Sequence, residues 1–123
     1  MNKRPISVLL VALLYIAVGT IGSAYHFTEV YARDTFHYDG LLIELTELCA
    51  LACGAFMLRG QNWARWVAVA WIAFHVILCA FQALQPFLIH CVLCGLIAWA
   101  VFHPQAARYF RSARGAAHDM GNP

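Results

Sequence analysis

Four long apolar runs, separated by short polar breaks, organise almost the whole chain. They are Ile6–Ala24, Leu41–Leu58, Trp63–Leu84 and Phe87–Phe102. A helix needs roughly 20 residues to cross about 30 Å of hydrocarbon, with about 17 as a lower limit. The first and third runs meet that length outright, and the fourth is slightly short. The second is the most polar, because Glu44 and Glu47 fall in its first turns. Lipid offers the backbone no hydrogen-bond partners, so helices are the spanning form these runs imply.

The breaks support the same division. Arg59-Gly60-Gln61-Asn62 pairs a glycine helix stop with an asparagine N-cap, the pattern of a tight helical hairpin. Gln85-Pro86 predicts the next turn, with Pro86 suited to the first turn of the fourth helix. His103-Pro104 closes that helix, since proline cannot continue one internally. The expectation is an all-α membrane four-helix bundle, a single domain, with a basic tail over residues 104–123.

Composition strengthens this picture. Of the 123 residues, 63% are hydrophobic and only 11% charged, and the mean hydropathy is +0.67. A soluble domain of this size carries about a quarter charged residues to cover its surface. The net charge of +2 is too small to suggest nucleic acid. Its placement says more. Lys3, Arg4, Arg59, Arg65, Arg108, Arg111 and Arg114 fall on one side of a four-span bundle, and only Arg33 falls on the other. That asymmetry predicts that both the N- and the C-terminus are cytoplasmic. Trp63, Trp66 and Trp99 then mark the inner interface, and Tyr25, Phe27, Tyr31, Phe36 and Tyr38 the outer one. The competing reading is a cleaved signal peptide, because Lys3-Arg4, the first run and Gly22-Ser23-Ala24 imitate its three regions. The run is longer than an ordinary signal core.

Most intramembrane polar residues gather in one predicted layer, in the outer half of the bundle. They are Thr20, Ser23 and His26 in the first span, and Glu44, Thr46, Glu47 and Cys49 in the second. The third adds His75, Cys79 and Gln82, and the fourth His90, Cys91 and Cys94. Polar groups are costly in lipid and turn toward a bundle interior or a wet cavity, so this layer is the candidate site. Glu44 and Glu47 share a helical face and suit a proton or a cation, or a pairing with His90; the plainer reading is hydration near the surface with Asp39 capping the helix. His75 and Cys79, four apart, have the spacing of a zinc or copper pair, against a packing role that weighs more, and no residue is assigned to a metal. His75 is placed deeper than His26 or His90, with no partner at its own level.

Cys91-Val92-Leu93-Cys94, preceded by His90, is a Cys-x-x-Cys motif expected in the first turns of the fourth span. There a helix N-terminus favours thiolate and thiol–disulfide exchange. The alternative is a packing seam of Cys91 with Gly95, and Gly19 with Ser23 suggests another seam on the first span. The tail, with Arg108, Arg111 and Arg114 around Tyr109 and Phe110, is expected to lie as a short segment on anionic lipid.

The run from Arg59-Gly60-Gln61-Asn62-Trp63-Ala64-Arg65-Trp66 through the fourth span resembles many small bacterial four-helix membrane proteins, a likeness that implies no activity. Cys91 and Cys94 sit where vitamin K epoxide reductases and their bacterial relatives carry their Cys-x-x-Cys, near the outer start of the last helix. That likeness implies a membrane thiol oxidoreductase with a quinone acceptor, although Tyr25–Gly40 has no relay cysteine. Small multidrug-resistance transporters match in length and span count, but their acid lies in the first helix, where Ile6–Ala24 has none.

Three functional expectations follow. The leading one is a non-enzymatic, structural or accessory inner-membrane protein. The second is thiol–disulfide exchange by Cys91, Cys94 and His90. The third is ion, proton or small-molecule transport using Glu47 and His75. The lipid bilayer is the expected partner, with a second copy or another membrane protein left open, and no cofactor is indicated.

Overall fold

The computed structural model describes residues 4–32 and 38–120 of the chain. Lys3 and Arg33, which enter the charge asymmetry, lie outside them, as do Asp34 and Phe36. The side chains of Tyr31, Asp39 and Arg114 are likewise outside the described part. The fold is all-helical: α1 (Ile6–Ala32), α2 (Tyr38–Leu58), α3 (Asn62–Ala80), α4 (Leu84–Phe102) and α5 (Pro104–Met120). The first four run up and down, and each holds a stretch long and apolar enough to cross a bilayer. Their outward faces carry large apolar side chains, among them Leu10, Ile21, Leu42, Ile77, Leu96 and Trp99.

Local chemistry accounts for the boundaries. Gly60 ends α2 in the left-handed conformation, φ +74°. Its N–H bonds to Met57 O at 3.0 Å, and that of Gln61 bonds to Phe56 O at 3.0 Å. This double closure is the Schellman pattern, which needs a residue without a Cβ penalty at positive φ. The N-cap of α3 is Gln61, with no side-chain cap hydrogen bond, so Asn62 is a helical residue and not the expected cap. The turn before α4 falls at Phe81–Ala83, not at Gln85-Pro86. Pro86 is the third residue of α4, where no backbone N–H has an intrahelical partner to lose. The third helix therefore stops earlier than its apolar run, at Ala80, and the fourth starts earlier, at Leu84. At the other end, α1 continues as helix through Tyr25 to Ala32, beyond its apolar stretch.

The core sits in the half of the bundle near the ends of α2 and α4. Val8, Ala12 and Tyr15 of α1 meet Ala50, Cys53 and Met57 of α2, then Ala64, Ala68 and Ile72 of α3, and Ile97 and Val101 of α4. Small side chains let these backbones approach closely. The tail packs on the bundle: α5 folds across this end and buries Ala106 and Phe110 completely. It is pinned there by Tyr109, whose hydroxyl donates to Leu58 O at 2.9 Å, while Arg4 Nη2 donates to the same carbonyl at 2.7 Å. Both satisfy the C-terminus of α2, where an orphan carbonyl and a partial negative charge favour such donors.

Candidate functional site: the polar layer of the looser half

Away from this core, toward the α1–α2 connection, the polar residues converge. Glu44 and Glu47 come one turn apart on α2. The Glu47 side chain crosses to α1 and fills the notch at Gly22, where an added Cβ would collide with its carboxylate. Ser23 lies beside that notch. Its Oγ, with Oε2 of Glu44 and Oε2 of Glu47, is buried and has no hydrogen-bond partner. Buried polar atoms in native proteins are nearly always bonded, so three orphaned oxygens in one layer call for an explanation.

His75 is built into α3 by an aromatic stack. Its ring lies over Trp71, centroids 4.0 Å apart, and Trp71 is fixed by donating Nε1–H to Thr46 O at 2.8 Å. Below, Tyr15 packs on Trp71 at 5.3 Å and donates its hydroxyl to Ala68 O at 2.7 Å. His75 Nδ1 lies 2.9 Å from Trp71 O, and His90 Nδ1 lies 2.8 Å from Pro86 O. A carbonyl only accepts, so Nδ1 carries a proton in both rings.

The two histidines face each other across α3 and α4, centroids 6.3 Å apart and rings within 14° of parallel. The expected isolation of His75 is therefore wrong. The earlier start of α4 raises His90 to the sixth residue after Leu84, level with His75, the fifth before Ala80. Cys79 does not join His75 in a ligand pair; its Sγ sits 3.5 Å from His90 Nδ1. Gln82 lies exposed in the turn beyond α3. Among the described residues no group of three or more His, Cys, Asp or Glu side chains is placed to hold a metal. Among them, too, Glu44 and Glu47 make no hydrogen bond to His90, whose Nδ1 partners are Pro86 and Cys79.

Cys91 and Cys94 are removed from the helix terminus by the same shift. They stand at the eighth and eleventh residues of α4, about two and nearly three turns inside, beyond the reach of a terminal dipole. Both are free thiols. They line an apolar groove of about 340 Å³ with Ala73, Val76, Ile77 and Gly95. Among the described residues the expected Cys91–Gly95 packing seam does not form, since none approaches within 4 Å of a Cβ added at Gly95. The Gly19 seam does form: a Cβ there would lie 2.6 Å from Leu51 N on α2.

Tyr15, Trp71 and Gly22 are site residues that sequence reading passed over. A signal existed for two of them: Tyr15 is a lone phenol within an apolar run, and Trp71 stands four before His75. In comparisons with protein-family models, with curated proteins and with solved structures, nothing matches this chain.

Proposed function

We propose that this chain spans a bacterial inner membrane four times, with both termini cytoplasmic, and binds a proton or small hard cation at Glu47. The span reading is supported by four apolar helices whose outward faces are apolar side chains. The orientation is supported by the basic residues, seven of which belong to one end. The observation that carries the site is the trio of buried, unbonded oxygens on Ser23, Glu44 and Glu47. Two carboxylates and a hydroxyl in a low-dielectric layer are a hard oxygen set, and a proton or a small cation removes the cost of burying their charge. His75, stacked on Trp71 of α3, adds a second proton-exchanging group to the same layer. Such a pairing suits movement of an ion, or of a small molecule coupled to one, better than a purely structural role.

The test is infrared spectroscopy of the reconstituted protein across pH, with sodium or potassium present and absent. A protonated-carboxyl band that changes with pH or cation, and disappears in Glu47→Gln, is expected. Liposomes with a lumenal pH dye then report flux, which Glu47→Gln and His75→Ala abolish. A carboxyl band identical in wild type and Glu47→Gln would sink the proposal.

A further inference from the structure

At the opposite end, the hairpin between α2 and α3 forms a cleft of about 400 Å³. Arg59, Gln61 and Asn62 line it with Trp63 and Trp66, and Ala113 of α5 forms a wall. Its chemistry is that of an anion site. Arg59 is exposed, and its guanidinium rests over the Phe56 ring at 5.9 Å. The uncapped first turn of α3 opens here, bringing backbone N–H groups and a partial positive charge. One turn on, Arg65 is held over the rings of Trp66 and, at 4.9 Å, Phe102. Its Nε is buried without a partner. Among the described side chains no acid lines the cleft, and Glu44 and Glu47 stand in the polar layer at the other end.

We infer that this cleft binds the phosphate of an anionic phospholipid, phosphatidylglycerol or cardiolipin, drawn from the adjoining leaflet. Three observations select a lipid over a soluble anion. The cleft lies at the level where the apolar helices end, the depth of bilayer phosphates. Trp63 and Trp66, 46% and 59% exposed, flank it as indoles do at a headgroup interface. The apolar outer face of α3 leads directly away from it for acyl chains to follow. The charge supplies the preference for anionic headgroups. Gly60 and α5 keep the cleft in shape: a Cβ at Gly60 would lie 2.6 Å from that of Ala113. This site rests on the membrane reading and not on the role of Glu47.

Native mass spectrometry of the detergent-solubilised full chain, titrated with phosphatidylglycerol, cardiolipin or phosphatidylcholine, tests it. Wild type is expected to retain the anionic lipids at least about tenfold better than phosphatidylcholine. Arg59→Gln should weaken that retention about fivefold, and Trp63→Ala should weaken it too. Arg108→Gln, at an exposed position of α5 that does not line the cleft, should change it less than twofold. Glu47→Gln should leave it unaltered, so that failure of the Glu47 proposal and failure of this one remain distinct. Equal losses in Arg59→Gln and Arg108→Gln would overturn the site in favour of diffuse charge. Full displacement by millimolar inorganic phosphate would overturn the lipid as its occupant, and lack of headgroup preference would overturn both. Circular dichroism of each variant confirms that it is folded before the comparison.

Discussion

The carboxylate of Glu47 occupies the notch that Gly22 leaves on α1, so that an added Cβ would meet its carboxyl group and, at 2.9 Å, its Cγ. This contact joins the tightest helix pair in the fold to the polar layer. It makes the spacing of α1 and α2 part of the site.

Alanine substitutions along that pair should fall in a definite order. At Gly19 and Gly54 the new methyl meets backbone, Leu51 N and Ala12 O, each at 2.6 Å. The helices must part, at a cost of about 1–3 kcal/mol. Gly22→Ala meets the end of a flexible acid, which can swing away, so its cost is smaller while Glu47 leaves the layer. Gly95→Ala meets nothing within 4 Å and should stabilise by ~0.5–1 kcal/mol through helix propensity. Thermal unfolding in detergent reads the order, and Gly95→Ala as the most damaging change would contradict it.

The aromatic stack gives a second prediction. Tyr15→Phe keeps the ring on Trp71 but loses the 2.7 Å bond to Ala68 O, a loss of about 1 kcal/mol. Trp71→Phe removes the 2.8 Å bond to Thr46 O and releases the platform under His75. Tyr15→Phe should therefore lower stability and leave Glu47 protonation unchanged, whereas Trp71→Phe should alter both. Infrared and melting data on the same two samples separate the effects.

At the other end, Gly60→Ala combines two faults. Its φ of +74° costs about 1–2 kcal/mol for a residue with a Cβ, and the Cβ also strikes Ala113. The double variant Gly60→Ala with Ala113→Gly should recover the steric part and retain the backbone part. Recovery to wild-type stability would show that the backbone conformation is not strained by alanine.

The five thiols should differ in reactivity. Cys53 is 1% exposed within the core and should resist an apolar maleimide, while Cys91 and Cys94 open onto the groove beside Gly95 and should label first. Standing well inside α4, they gain no activation from its terminus, so ordinary alkylation rates are expected. Labelling traced by mass spectrometry decides this, and fast reaction at Cys53 would contradict the packing.

Much of this architecture is legible in the chain alone, because the number of spanning-length helices, their apolar length and the charge placement are set locally. Each residue contributes to them through its own hydropathy, and Gly60 stops α2 whatever surrounds it. The acids, histidines and cysteines of the layer are also visible as exceptions within apolar runs. Which of them meet is another matter. It depends on where α4 begins, and the three residues between Phe87 and Leu84 amount to nearly a full turn, or about 4.5 Å of rise. That displacement brings His90 level with His75, hands Cys79 to His90, and carries Cys91 and Cys94 away from the helix terminus. The notch at Gly22 depends likewise on how closely α1 and α2 approach, and α5 docks through Phe110 and Tyr109, which the local pattern places only on a basic tail. Composition and period decide what each helix is; the register between helices, set by packing of small side chains, decides what the layer can bind.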